Sequence, residues 1–184
     1  MSEAREIMEG KNKRIALMIA VLAALLAVSE MGAKSSQTRV LTEHVEATNQ
    51  WGFFQAKTIR QTVIRTAAEE VQAEFKDREM PPALKDQVAR WKATAQRYES
   101  EPDTQEGRKE LSESALAHAK QREVARSAYH LFEYGSAAFQ LAIVLASAAA
   151  LTGVLSLAFG SAALGFAGAV LTLLGYAAPT LVHL

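Results

Sequence analysis

Histidines are the side chains of this sequence best suited to metal or acid–base chemistry, and there are four, at positions 44, 118, 130 and 183. A di-iron helical bundle would carry Glu-x-x-His on two helices. This chain has the reverse order, His130 and Glu133 in HLFE, and has it once. We therefore predict no metal site and no bound cofactor, with the histidines either solvated or packed between helices.

Signatures of catalysis are also missing from the sequence. It has no Walker loop, no dinucleotide-binding glycine pattern, no G-x-S-x-G and no H-E-x-x-H. Cysteine is absent, and the adjacent Glu69 and Glu70 point apart on a helix. Basic and acidic residues alternate along the central segment, which argues against nucleic-acid binding. We predict that the protein is not an enzyme and has no catalytic residues.

The charges are segregated, although the formal net charge is zero. From Gly135 to Leu184 there is no Lys, Arg, Asp or Glu, and a stretch of this length exceeds the roughly 20 residues that one membrane span needs. The segment AFGSA, residues 158–162, offers a turn at Gly160 and Ser161. We predict two antiparallel spans at 135–158 and 161–178, followed by a tail at 179–184.

A third apolar run, RIALMIAVLAALLAVSEMGA, follows a basic tail at 1–14. A signal peptide also fits this pattern, but no small-x-small cleavage site follows the run. We predict an uncleaved membrane helix at 15–33, with Glu30 at or just inside the membrane edge, where carboxylates are costly and are usually paired. Lys11, Lys13 and Arg14 favour a cytoplasmic N-terminus.

Small residues recur every few positions in the two C-terminal spans, which lets helix backbones approach closely in lipid. They pack either within one hairpin or also between copies of the chain. The candidate packing residues are Ala142, Ala146, Ala150, Ser161, Gly165 and Gly168.

The central residues 34–134 are rich in helix formers and are broken by MPP at 80–82 and by ESEPDTQEG. We predict helices over 34–79, 83–99 and 108–134, the second and third with apolar residues at alternating spacings of four and three. The predicted fold class is an all-α membrane protein: three transmembrane helices and a long extramembrane helical hairpin forming a coiled-coil stalk.

The segment NQWGFFQAKTIRQT carries three aromatic residues near the start of this stalk. A helical wheel places Phe53 on the apolar packing face with Val63, whereas Trp51 and Phe54 lie well round the helix. One helix partner cannot bury all three. We expect a second partner at these residues and Lys57: either the third helix of the same chain together with a neighbouring copy, or the membrane surface.

Arg60 and Arg122 fall on predicted packing faces, where an unpaired arginine is prohibitively costly. Three interpretations remain open: an inter-helix ion pair that fixes register, a side chain extended over the packing face, or a site for an anionic ligand or lipid headgroup.

The WGFFQAKTIRQT segment, behind an N-terminal span and ahead of two C-terminal spans, resembles a family of uncharacterised bacterial membrane proteins with a domain of unknown function. The matching residues are Trp51, Phe53, Phe54, Gln55, Ala56, Lys57 and Ile59. The resemblance implies a bacterial inner-membrane protein and carries no activity or catalytic residue with it.

The apolar surface around Trp51 and Phe54 and the small residues in the predicted spans both indicate contacts with other protein chains. The leading hypothesis is therefore a homo-oligomeric, membrane-anchored scaffold or interaction protein. A pore or transport component is the alternative, with Glu30, Gln140 and Ser147 as candidate polar residues inside the membrane. An accessory subunit that binds a different membrane protein is the third. The lipid bilayer is a partner in each case.

Overall fold

The computed structural model describes residues 2–181, with side chains from Lys13 onward. Within that range the chain forms four helices and no strand: α1 Ser2–Glu74, α2 Pro82–Glu99, α3 Arg108–Thr152 and α4 Leu155–Ala177. The all-helical part of the prediction is therefore confirmed. His183 and the rest of 182–184 lie outside the described residues, as does the side chain of Lys11.

The first helix is longer than either of the two segments predicted within it. α1 runs without interruption through the predicted span at 15–33 and the predicted helix at 34–79, but it ends at Glu74. The next residues form a turn in which Lys76 N–H bonds to the Ala73 carbonyl at 3.3 Å. Pro82 then starts α2, because a proline's fixed φ and missing N–H suit the first helical turn.

The turn between the two C-terminal apolar helices was predicted at 158–162, and this prediction is wrong. α3 ends at Thr152 and α4 begins at Leu155. Gly153 between them has φ +72, a left-handed conformation that glycine adopts without steric cost. Gly160 and Ser161 lie inside α4 instead. Of the two glycines that could have formed the turn, Gly153 and Gly160, the chain turns at Gly153.

The chain divides into two compact units. The polar unit is Thr42–Gln121, and the apolar unit comprises the described residues of 1–41 and 122–184. In the part of the chain that the structure describes, three helical segments are long and apolar enough to cross a membrane: Lys13–Glu74, Arg108–Thr152 and Leu155–Ala177. This agrees with the predicted number of spans.

Candidate functional site

Phe132 of α3 forms a close three-helix contact in the apolar unit. Its ring is 2% exposed and lies against Gly32 of α1 and Gly175 of α4. A Cβ atom on either glycine would come within 2.8 Å of the ring. Tyr176 adds an edge contact, with ring centroids 4.7 Å apart. Only glycine at both positions lets the three backbones meet around this ring.

Hydroxyl groups join the same three helices beside Phe132. Ser29 Oγ of α1 donates to the Phe132 carbonyl at 2.9 Å. Thr172 Oγ1 of α4 lies 3.1 Å from Ser29 Oγ and 2.9 Å from the Gly168 carbonyl, so it donates to one of these acceptors. All of these atoms are buried. Hydrogen bonds of this kind between apolar helices are worth about 0.6 kcal/mol each on average.

The small residues predicted to pack lie mainly inside the apolar unit. Ala142 and Ala146 are fully buried, and Ser161 Oγ donates to the Ala142 carbonyl at 2.7 Å. A Cβ atom on Gly168 would stand 3.0 Å from the Gly135 carbonyl oxygen. Gly165 faces Leu22, and Ala150 is half-buried. These contacts favour packing within one chain, the simpler of the two interpretations.

Two of the three predicted polar residues come together. Glu30 of α1 and Gln140 of α3 line the same groove of the apolar unit, and both are exposed. Ser147 does not line it: its Oγ donates to the Ile143 carbonyl one helical turn earlier, at 2.8 Å.

In the polar unit, Arg108 at the start of α3 is the centre of a cluster that sequence reasoning missed. Its Nε donates to Thr58 Oγ1 at 2.9 Å, and its Nη1 donates to Glu99 Oε2 at 2.8 Å. The guanidinium carbon lies 5.0 Å from the centroid of the Phe54 ring. Nη1 also donates to Gln61 Oε1 at 2.5 Å. We call these five residues the Arg108 cluster.

Gln61 connects this cluster to α2. Its side chain is 5% exposed, and its Nε2 donates to the Ala95 carbonyl at 2.9 Å and to Glu99 Oε2 at 2.8 Å. Every polar atom of the buried amide therefore has a partner, as buried polar groups require. The signal in the sequence was the spacing of Phe54, Thr58 and Gln61 by four and three residues.

Lys57 joins the turn between α2 and α3 to α1. Its Nζ lies 3.5 Å from carboxylate oxygens of both Glu101 and Glu106, and 5.5 Å from the centroid of the Tyr98 ring. Of the residues that carried the family resemblance, Phe54 and Lys57 thus make contacts with other helices or turns of the same chain.

The helical wheel placed Phe53 on the packing face of its helix, but within this chain the Phe53 side chain is 62% exposed. Trp51 is partly exposed and meets Phe54 edge-on, with ring centroids 5.2 Å apart. The wheel was misplaced because Thr58 and Gln61, which are polar, lie on the buried side, where Arg108 satisfies them.

The burial predicted for Arg60 is also wrong, since its side chain is exposed. Arg60 therefore does not form a buried ion pair between helices within this chain. Arg122 is half-buried, and its Nη2 lies 2.8 Å from Glu123 Oε1 on the same helix.

Glu110 closes the turn that leads into α3. Its Oε1 accepts from Ser100 Oγ at 2.6 Å, and its Oε2 accepts from the Glu101 N–H at 3.2 Å. The Ser100 hydrogen bond, first among the causes, lowers the pKa of the Glu110 carboxyl. A lowered folded-state pKa means that this contribution is present at neutral pH and is lost as the pH falls through that pKa.

Histidine 118 makes a separate contact within the polar unit. Its Nδ1 lies 2.8 Å from Glu43 Oε2, joining α3 to α1. No group of three or more His, Cys, Asp or Glu residues suited to a metal ion occurs among the residues that the structure describes.

Replacing Arg108 by alanine is expected to lower the free energy of unfolding of the polar unit by about 2 kcal/mol, because buried Gln61 loses its charged donor and exposed Glu99 loses its ion pair. Arg108→Lys should restore little of the lost stability, because a single ammonium group cannot donate to Thr58, Gln61 and Glu99 in the planar arrangement of the guanidinium. Hydrogen exchange of α2 in the full chain measures the effect. Arg78→Ala is the control, because it removes only an exposed pair with Glu74. Equal protection in both alanine variants would contradict the role of the cluster.

The geometry defines an all-helical protein with three candidate membrane-spanning helices and a separate polar helical unit. The chain belongs to the family described as a domain of unknown function (DUF4337), whose model matches residues 11–178. The resemblance seen in the sequence is therefore confirmed. No curated protein and no solved structure matches the chain significantly.

Proposed function

We propose that this chain is a membrane-anchored scaffold protein that assembles as a homo-oligomer through the polar unit. The observation that carries the proposal is an unpartnered apolar face of α1, directed away from the side that holds the Arg108 cluster. Its exposed residues alternate at spacings of four and three and form what we call the α1 seam: Val45, Asn49, Gly52, Ala56, Ile59 and Val63.

Large apolar side chains on this seam are more than half exposed: 54% for Val45, 65% for Ile59 and 61% for Val63. A Cβ atom on Gly52 would meet nothing within 4 Å. A helix packed on one side of its own chain does not need an apolar stripe on the opposite side. Alternating spacings of four and three are the pattern by which two helices interlock as a coiled coil.

A second copy of this chain fits the seam better than an unrelated helix does. The first candidate span and the seam both belong to α1, so copies inserted in one bilayer present parallel seams. In a parallel pair, equivalent residues meet, and Asn49 at a core position would face Asn49 of the second copy. A core asparagine specifies register and favours two strands. Gly52 and Ala56 would let the backbones come close.

For the location, we propose the bacterial inner membrane, with the three apolar helices as spans and the N-terminus in the cytoplasm. Arg14 and Lys13 precede the first apolar run, as the positive-inside rule requires of a cytoplasmic end. The exposed apolar surface of α4, including Phe159 and Phe166 at 70% and 73% exposure, suits contact with lipid chains.

The pore alternative has less support from the geometry. A polar path would need aligned, available side chains, and Ser147 instead bonds the backbone of its own helix. The α1 seam would join two copies of the chain without forming a pore, so it gives no support to conduction.

Single-cysteine crosslinking tests the proposal, because the natural chain has no cysteine. We expect Ala56→Cys to form a disulfide between two copies in membranes under mild oxidation. Arg65→Cys is the control: it is exposed, but it lies on the side of α1 that faces α2. Equal crosslinking at both positions, or none at Ala56→Cys, would contradict a homo-oligomer built on this seam.

A further inference from the structure

A groove of about 540 Å³ lies between α1 and α3 of the apolar unit. Seven of its nine lining residues carry a polar side chain, although most of the exposed lining area is apolar. The polar side chains that line it include Glu30, Lys34, Tyr129, Glu133, Ser136 and Gln140.

Ser136 in the wall of this groove has an unmet hydrogen bond. Its side chain is 8% exposed, and its Oγ has no hydrogen-bond partner among the described residues. A serine within a helix commonly donates to the carbonyl four residues earlier. Here that carbonyl, at Phe132, already accepts from Ser29 Oγ at 2.9 Å. A buried hydroxyl without a partner costs free energy, so a ligand that reaches it would recover some of that cost.

The groove lies at the border of two apolar stretches: that of α1 ends at Glu30, and that of α3 begins after Glu133. Glu133 is the last charged residue of the whole chain, and no charged residue lies between Arg14 and Glu30. Charged side chains at such borders sit at the depth of lipid headgroups when the helices span a bilayer.

The charges in the groove favour a cationic group. Glu133 is partly satisfied by Tyr129 Oη at 3.4 Å and by His130 Nδ1 at 3.5 Å. Glu30 is exposed and lines the same groove as Gln140 and Ser136, whose side-chain oxygens can accept hydrogen bonds. A primary ammonium donates three hydrogen bonds and matches this set of acceptors, whereas a quaternary ammonium donates none.

We propose that the groove binds the headgroup of a phospholipid that carries a primary ammonium, such as phosphatidylethanolamine. The ammonium is held by Glu30 with the oxygens of Ser136 and Gln140. Lys34 follows Glu30 by one helical turn, about 6 Å along the axis, and provides the cation for the adjoining phosphate. Exposed Leu141 and Val144 follow Gln140 on α3 and offer apolar surface for the acyl chains.

Native mass spectrometry of the detergent-solubilised full chain tests this proposal with three synthetic lipids of identical acyl chains: phosphatidylethanolamine, phosphatidylcholine and phosphatidylglycerol. We expect phosphatidylethanolamine to bind about tenfold more tightly than the other two, the size of one charge-assisted hydrogen bond. The preference should fall to within about twofold in Glu30→Gln and weaken in Ser136→Ala. Glu46→Gln is the matched control, because Glu46 is exposed on α1 and belongs to the other unit.

Three outcomes would overturn the proposal: equal binding of the three lipids, a preference that survives Glu30→Gln, or binding of free ethanolamine without a preference among the lipids. The last would assign the site to a soluble amine. The same lipid preference is expected in a variant that cannot form the α1 seam, Ile59→Glu. Failure of the lipid site is therefore distinguishable from failure of the proposed oligomer.

Discussion

Replacing Gly175 by alanine is expected to destabilise the apolar unit by about 2 kcal/mol, within the range found for overpacked cores. The added methyl group would lie 2.8 Å from Phe132, a ring that is already confined on its other side by Gly32. The ring cannot retreat without separating α1 from α3. The loss should appear as a lower midpoint of thermal unfolding, followed by circular dichroism in detergent.

Gly160→Ala is the matched control, since it makes the same chemical change in the same helix, where the added methyl group would meet only the Leu145 side chain, at an ordinary 3.5 Å. That variant should gain up to about 1 kcal/mol of helix propensity. The opposite signs matter more than the sizes, because both variants add one methyl group to a helical glycine. If Gly175→Ala raised the midpoint as Gly160→Ala does, the close contact of the three helices around Phe132 would be disproved.

Replacing Ile59 by glutamate is expected to weaken self-association at least about 100-fold, because a buried apolar contact becomes a pair of facing carboxylates at the centre of the interface. The fold of a single chain should be unchanged, since the Ile59 side chain is 65% exposed. Analytical ultracentrifugation in density-matched detergent measures the shift from oligomer to monomer.

The matched control for this variant is Ala73→Glu. Ala73 is also an exposed apolar residue of α1, but it lies beyond the last residue of the α1 seam. We expect it to associate as the natural chain does. Equal dissociation in the two variants would assign the effect to net charge and not to the seam.

Local signals in the sequence were enough for the element types. The prolines at 81 and 82 mark the start of α2, and the charge-free stretch from Gly135 predicts the two apolar C-terminal helices. The exact positions of the turns were harder to predict. Gly153 and Gly160 were both able to turn the chain, and in the structure Gly160 lies within α4, next to Ser161, whose Oγ donates to the Ala142 carbonyl.

The periodicity of the sequence does not predict which residues far apart in the chain contact each other. Arg108 and Gln61 are separated by 47 positions, and Gln61 is a polar residue on a buried face, so a wheel based on hydrophobicity turned α1 the wrong way. Small residues in the spans were identified from spacing. The partner of Gly32 and Gly175, however, is an aromatic ring on a third helix, which no spacing within one helix reveals.

The α1 seam follows from the same correction. Once Phe54, Thr58 and Gln61 are known to face α2 and α3, the exposed residues Ala56, Ile59 and Val63 must lie on the opposite side. The predicted interface residue Phe53 borders this face, so it remains a candidate for contact between copies, as does exposed Arg60.

The mass of the natural chain in detergent, by native mass spectrometry, tests the central claim most directly. Self-assembly through the α1 seam predicts a discrete particle of twice the 19.9 kDa of one chain, because Asn49 at a core position favours two strands. That particle should convert to single chains in Ile59→Glu. A natural chain that is monomeric at all concentrations, in detergents that preserve its helical content, would contradict the account.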